Sequence, residues 1–186
     1  MNDIKGKAMT EVLPEIRRIV TAINADGKSY VAEVGPSPAV RTVVERPGYR
    51  VTNIWRTLST PVDVSEPDTI TAHAGVLPPQ NGTVVRIIDY PPESRDPEEV
   101  RRQQLATFRT LYPDADHRPQ GNHPGLHETR TVDYAIVLEG EITAVLDTEK
   151  LVLRSGDVLV QRATMHGWAN RSDAMARIAF ILIDGR

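Results

Sequence analysis

GNHPGLHETRTVDYAIVLEG, residues 121–140, and GDVLVQRATMHGWAN, residues 156–170, are the stretches whose reading decides the fold. Only 15 residues separate them. Around them the chain reads as short strands at close spacing: Val132–Leu138, Ile142–Leu146, Leu151–Leu153, Val158–Gln161 and Arg177–Ile183. Turn chemistry at Glu139-Gly140-Glu141, Asp147–Lys150, Ser155-Gly156-Asp157 and Asn170–Asp173 separates these runs. All 14 prolines lie at or before Pro124, so residues 125–186 have none. Proline removes a backbone donor and is excluded from central strands, so the last third reads as a dense ladder of paired strands. Many short antiparallel strands predict an all-β sandwich or small barrel.

The front two thirds is punctuated differently. Ile16–Ile23 and Ser29–Val34 flank Asn24-Ala25-Asp26-Gly27, a hairpin signal. Pro36, Pro38 and Pro47 break up the surroundings of Val40–Val44. Val51–Leu58 and Thr83–Ile88 read as strands, and residues 59–82, with four prolines, read as a surface excursion. Residues 97–112 read as a helix. Pro97-Glu98-Glu99 suits its first turn, Leu105, Phe108, Leu111 and Tyr112 form an apolar face, and Pro113 stops it. Glu98, Glu99, Arg101 and Arg102 read as its solvated face, and Met9–Arg17 is a shorter helix candidate. Residues 1–10 read as a mobile tail and 11–186 as one domain.

Composition excludes several functions. The chain has 186 residues and net charge −3, without the basic face that nucleic-acid binding demands. Cysteine is absent, which removes disulfides, thiolate metal sites and a cysteine nucleophile. The longest apolar runs are about six residues, as in Ile178–Ile183, too short for a bilayer. No N-terminal secretion signal is read, so the expected location is cytoplasmic, with no membrane partner. No G-x-S-x-G, P-loop, G-x-G-x-x-G or helix-turn-helix pattern is present.

Histidine is where the chemistry gathers. Of five histidines, His117, His123 and His127 fall within residues 117–127, near the oxygen donors Glu128 and Asp133, and His166 lies in the second stretch. Such clusters are the raw material of a metal site. His73 and His117 have proline-rich neighbours and read as solvated. Gly121, His127, Thr129, Asp133 and Gly140 form one spaced block, and Gly156, Gln161, Ala163, His166 and Asn170 a second.

These blocks resemble the two-motif signature of the cupin family, G-x5-H-x-H-x3/4-E-x6-G followed by G-x5-P-x-G-x2-H-x3-N. His123-Pro124-Gly125-Leu126-His127, Thr131-Val132-Asp133-Tyr134, Leu138-Glu139-Gly140-Glu141 and Phe180-Ile181-Leu182-Ile183-Asp184 also resemble a bacterial and fungal group of single-domain cupins. There are departures. Thr129 replaces the second histidine, Asp133 the glutamate, Gln161 the proline and Ala163 the glycine, and the second block's first spacing is one residue shorter.

The resemblance implies a double-stranded β-helix, the cupin jelly-roll barrel, with an N-terminal strand extension, one outer helix and a homodimer built by exchanging N-terminal strands. It also implies a divalent metal, Fe(II) or Zn(II), with Mn(II) or Ni(II) as alternatives. Its ligands would be His127, Asp133 and His166, with His123 as a candidate additional ligand. A straight strand would hold His127 and Asp133 about 20 Å apart, so the chain must bend at residues 130–132 for both to share a metal. Thr129, Arg130, Tyr134, Gln161 and Trp168 are the candidates for lining a substrate. The implied function is a metal-dependent enzyme, such as a dioxygenase, acting on a small oxygenated organic metabolite. The alternatives are a metal-dependent lyase, isomerase or dehydratase, and a non-catalytic small-molecule-binding module.

Overall fold

The computed structural model describes residues 12–186. In chain order its strands are β1 (Arg17–Ile23), β2 (Ser29–Pro36), β3 (Val40–Thr42), β4 (Arg50–Thr57), β5 (Thr83–Tyr90), β6 (Asp116–His117), β7 (His127–Glu128), β8 (Thr131–Glu139), β9 (Glu141–Leu146), β10 (Lys150–Arg154), β11 (Val158–Arg162), β12 (His166–Ala169) and β13 (Ala176–Asp184). One α-helix, α1 (Pro97–Leu111), and a 3-10 turn at Ile70–Ala72 complete the elements. The expected tail 1–10 lies outside the described residues, and so does the start of the Met9–Arg17 helix candidate, whose last residue opens β1.

Three antiparallel sheets form. The β1–β2 hairpin is a sheet of its own, a second has the order β10-β9-β12-β7-β6, and a third β11-β8-β13-β5-β4-β3. The hairpin turn follows from its sequence: Gly27 takes φ 74°, and Asn24 Oδ1 accepts from the amides of Asp26 and Lys28. On β8 the period of two is strict at its start. Thr131, Asp133, Ala135 and Val137 are buried, while Val132 and Tyr134 face out. The inner faces of the two larger sheets share one core, in which Trp168 of β12 meets Phe180 of β13 edge-on at 5.3 Å.

This arrangement corrects the expectation of a double-stranded β-helix, or jelly-roll, barrel. No hydrogen-bonded ladder joins the three sheets among the described residues. A barrel closes through backbone pairing between its first and last strands, whereas here the two larger sheets meet through side chains. The described residues are therefore mostly β, with one α-helix. Residues 59–82 are not merely a surface excursion, because Ile70, His73 and Val76 are all buried. His73 is thus not solvated, and His117 is only half exposed, stacked on Phe108 at 3.8 Å.

Helix α1 starts as its sequence demands. Asp96 accepts from the Glu98 amide as N-cap, Pro97 occupies the first turn, and Glu98 and Glu99 sit at the positive end of the dipole. Its buried residues are Gln104, Ala106, Thr107 and Phe108, while Leu105 is exposed. The inward face is therefore more polar than the leucine spacing suggests, because it closes over a polar cavity.

Candidate functional site

A small cavity of about 50 Å³ lies between the two larger sheets and α1. Its walls are unlike one another. On the five-stranded side, His127 of β7 and His166 of β12 are direct cross-strand partners, with ring centroids 4.3 Å apart. Each ring is oriented by the carbonyl two residues before it: His127 Nδ1 donates to Gly125 O at 3.0 Å and His166 Nδ1 to Thr164 O at 2.9 Å. That fixes the Nδ1–H tautomer in both and leaves each Nε2 lone pair without a hydrogen-bond partner among the described residues. Phe108 lies 4.9 Å from His127, and Trp168 lies 5.8 Å from His166. Burial holds His166 down at about 4. Burial and the neighbouring His166 push His127 well below the usual imidazole range. Both rings are neutral bases at neutral pH.

The opposite wall is ionic. Asp133 of β8 faces in from the six-stranded sheet, and burial raises it to about 6 against the opposing pull of the Thr131 hydroxyl and Arg86. Its Oδ1 is buried with no hydrogen-bond partner among the described residues. Arg86 of β5 is 2% exposed and donates through Nη2 to Val76 O at 2.8 Å and His73 Nε2 at 3.0 Å. His73 is held neutral, at about 4, by burial and by Arg86. Arg46 lies with its guanidinium 4.3 Å from the centre of the Tyr49 ring. The hydroxyls of Tyr49 and Tyr112 hydrogen-bond at 2.9 Å. Burial raises Tyr49, Tyr90 and Tyr112 above the usual phenol range, so all three stay protonated.

The structure thus brings His127, His166, Asp133, Thr129 and Trp168 to one cavity. Thr129 is turned toward Thr131, its hydroxyl 2.8 Å away. Arg130 and Tyr134 are exposed and lie outside it, as strand alternation beside inward Asp133 requires for Tyr134. Gln161 is buried outside the cavity, with its amide on Thr164. His123 is spent elsewhere: its Nδ1 accepts from the Gly125 amide at 3.1 Å and its Nε2 donates to Glu93 at 2.9 Å.

The expected Fe(II), Zn(II), Mn(II) or Ni(II) centre on His127, Asp133 and His166, with His123 in reserve, is corrected by this geometry. Among the described residues, no group of three or more His, Cys, Asp or Glu is placed to hold a metal ion. The two imidazoles share one sheet, whereas Asp133 pairs with Gln161 and Leu182 in the other, across the cavity. The bend expected at residues 130–132 falls instead at 129–130, since β8 already runs from Thr131, and it carries the chain from one sheet to the other without folding it back on the histidines.

The sequence does not single out Arg46, Arg86, Tyr49 or Tyr90 for the site, and it presents Tyr112 only as part of the apolar face of the helix. Arg86 carried a signal. In Thr83–Tyr90 the inward phase is Val84, Arg86, Ile88 and Tyr90, which sets a cation among apolar residues. Arg46 sits between strands and carried none.

Residues 113–183 match the family model of the Cupin domain. Three fungal proteins are similar along most of their length. "Phomopsin biosynthesis cluster protein C'" of Diaporthe leptostromiformis is 28% identical, across 97% of this chain and 86% of that protein. "Cupin-domain-containing oxidoreductase srdD" of Neurospora crassa is 29% identical, across 92% of this chain and 76% of that protein. "Cupin-domain-containing oxidoreductase fogC" of Aspergillus ruber is 27% identical, across 92% and 74%. The chain is thus distantly similar to cupin-domain oxidoreductases. No helix among the described residues is long and apolar enough to cross a membrane.

Proposed function

We propose that this domain of the cupin superfamily is an enzyme that binds a small oxygenated organic metabolite in the cavity and moves a proton on it. The observation that carries the reading is Asp133: a buried carboxylate facing a cavity, with one oxygen unpartnered and its acidity shifted toward neutrality. Such a group is poised as a general base near pH 7. It would take a proton from a carbon beside a carbonyl. The C–H electron pair would pass to the carbonyl oxygen, where the buried guanidinium of Arg86 stabilises the charge. Return of the proton at another carbon, or at an oxygen, completes an isomerisation. His127 and His166 offer unprotonated Nε2 atoms that can orient a substrate hydroxyl by accepting from it. The distant similarity to cupin-domain oxidoreductases supports an enzymatic role.

The test is deuterium exchange. Purified protein in D2O is incubated with a panel of β-dicarbonyls, 2-hydroxy acids and phenolic ketones, and C–H loss is followed by NMR. Exchange at one position of at least one compound is expected, falling about 100-fold or more in Asp133→Asn. Exchange that survives Asp133→Asn removes Asp133 from the role. Saturable binding without exchange of any compound would move the reading to a binding module.

A further inference from the structure

We infer that the ligand of this cavity is a monocarboxylate, its carboxylate gripped by Arg46 and Arg86. The inference rests on the cavity being the ligand site, and it shares Arg86, but not Asp133, with the proton transfer proposed above.

The argument is a contrast among buried arginines. Four are buried among the described residues: Arg18, Arg46, Arg86 and Arg177. Arg18 has Glu33 and Asp68 as partners, and Arg177 has Asp89. Arg46 and Arg86, which are 4% and 2% exposed, have no carboxylate within ion-pair distance among the described residues. These two are the arginines that line the cavity. An isolated buried cation is expensive to keep without an opposite charge. Neutral acceptors only part-satisfy it: Arg86 has three, the carbonyls of Gly75 and Val76 and His73, and its Nε is buried with no partner. Arg46 has one long hydrogen bond, 3.5 Å to Gln104 Oε1, besides its aromatic faces. A guanidinium kept this way is a donor held ready for an anion that arrives from outside.

Charge and shape select among anions. The one acid lining the cavity is Asp133, and the two imidazoles are neutral. With Asp133 ionised the lining carries one net positive charge, which a monoanion neutralises and a phosphate dianion would overshoot. The hydroxyls of Tyr49 and Tyr112 stand on the same wall. A planar carboxylate suits a guanidinium fork and a phenol together. In this pose the rest of the ligand points to the aromatic and imidazole wall, where Phe108 and Trp168 offer apolar surface.

The test uses the whole chain and matched pairs of ligands: acetate with acetamide, 2-hydroxybutyrate with its amide, and benzoate with benzamide. Binding is read by calorimetry and by the rise in melting temperature. At least one carboxylate is expected to bind saturably and at least tenfold more tightly than its amide, with inorganic phosphate failing to displace it. Arg46→Met and Arg86→Met should each weaken that carboxylate tenfold or more while binding of the amide changes less than twofold. Equal affinity for a carboxylate and its amide overturns the inference in the wild-type protein alone, whatever becomes of the variants. So does tight binding of phosphate, and so does the absence of binding by every carboxylate. Asp133→Asn separates the two proposals: it should abolish proton exchange while the carboxylate binds at least as tightly as in the parent, because the one negative charge of the lining is gone. Loss of the arginine dependence with exchange retained would sink this inference and spare the other.

Discussion

The two walls of the cavity are built by opposite means. On the five-stranded side both imidazoles are set by a local device used twice, a ring nitrogen donating to the carbonyl two residues earlier. The register of β7 and β12 then makes them neighbours. On the six-stranded side the bracing of Arg86 and of the tyrosine pair comes from far along the chain. Arg86 is held by Val76 and His73, residues ten and more positions away, and Tyr49 meets Tyr112 across 63 positions. The first wall is neutral. The second is charged and incomplete, with Asp133 Oδ1 and Arg86 Nε left without partners. A wall assembled from remote segments can hold unsatisfied charge because each piece is braced by a different part of the fold.

The sharpest way to break this pairing of walls is at their seam. Trp168 is 7% exposed and packs on Phe180 of the opposite sheet. Trp168→Ala should cost about 3–5 kcal/mol, by lost transfer energy and an unfilled cavity. The measurement is the urea midpoint with the slope held constant. A loss under about 1 kcal/mol would show that the sheets are held elsewhere.

One residue on each wall should answer pH in the opposite direction to the other. His166 has a folded value of about 4, below its ordinary 6.5. Between those values the unfolded chain binds a proton that the folded chain refuses, so its contribution is full above 6.5 and lost as pH falls toward 4. Asp133 has a folded value of about 6, above its ordinary 3.8. There the folded chain keeps a proton that the unfolded chain releases, so its contribution is full below 3.8 and lost as pH rises through 6. Each is worth about 3 kcal/mol as an order of magnitude, and across pH 4–6 the two slopes oppose. His166→Gln should therefore make stability fall more steeply as pH rises over that window, and Asp133→Asn should make it rise more steeply. Chemical denaturation at several pH values reads both, and parallel curves for the three proteins would contradict the assignment.

The same contrast explains what could be read from the sequence. The strands of the last third, the Asn24–Gly27 hairpin and the helix over 97–112 were legible, because each rests on neighbours in sequence: alternation, a turn residue, a cap and a stop. The histidines were legible for the same reason. That Asp133 would face them from another sheet was not, because spacing along a chain does not say which sheet a strand joins. The absence of barrel closure was hidden likewise, being a property of ladders between distant strands. His73 looked solvated among prolines, yet it is buried as the acceptor for Arg86, a partner 13 positions away.

A smaller effect tests the link that joins the walls. The turn after β11 carries the chain from the six-stranded sheet to β12 of the five-stranded one, so it sets Gln161, the cross-strand partner of Asp133, relative to His166. Within it Ala163 takes φ 45°, and its amide donates to Thr131 O at 3.0 Å. The left-handed region costs a residue with a Cβ about 1–2 kcal/mol, and glycine returns part of that gain through a freer unfolded chain. Ala163→Gly should thus raise stability by a net amount of about 1 kcal/mol, read as a higher urea midpoint. Because the turn keeps its shape, affinity for the carboxylate of the matched pair should stay within twofold of the parent. A lower midpoint would show that Ala163 does not hold the left-handed conformation. A higher midpoint with altered affinity would show that the turn, and with it the spacing of the two walls, is tuned by the residue at this position.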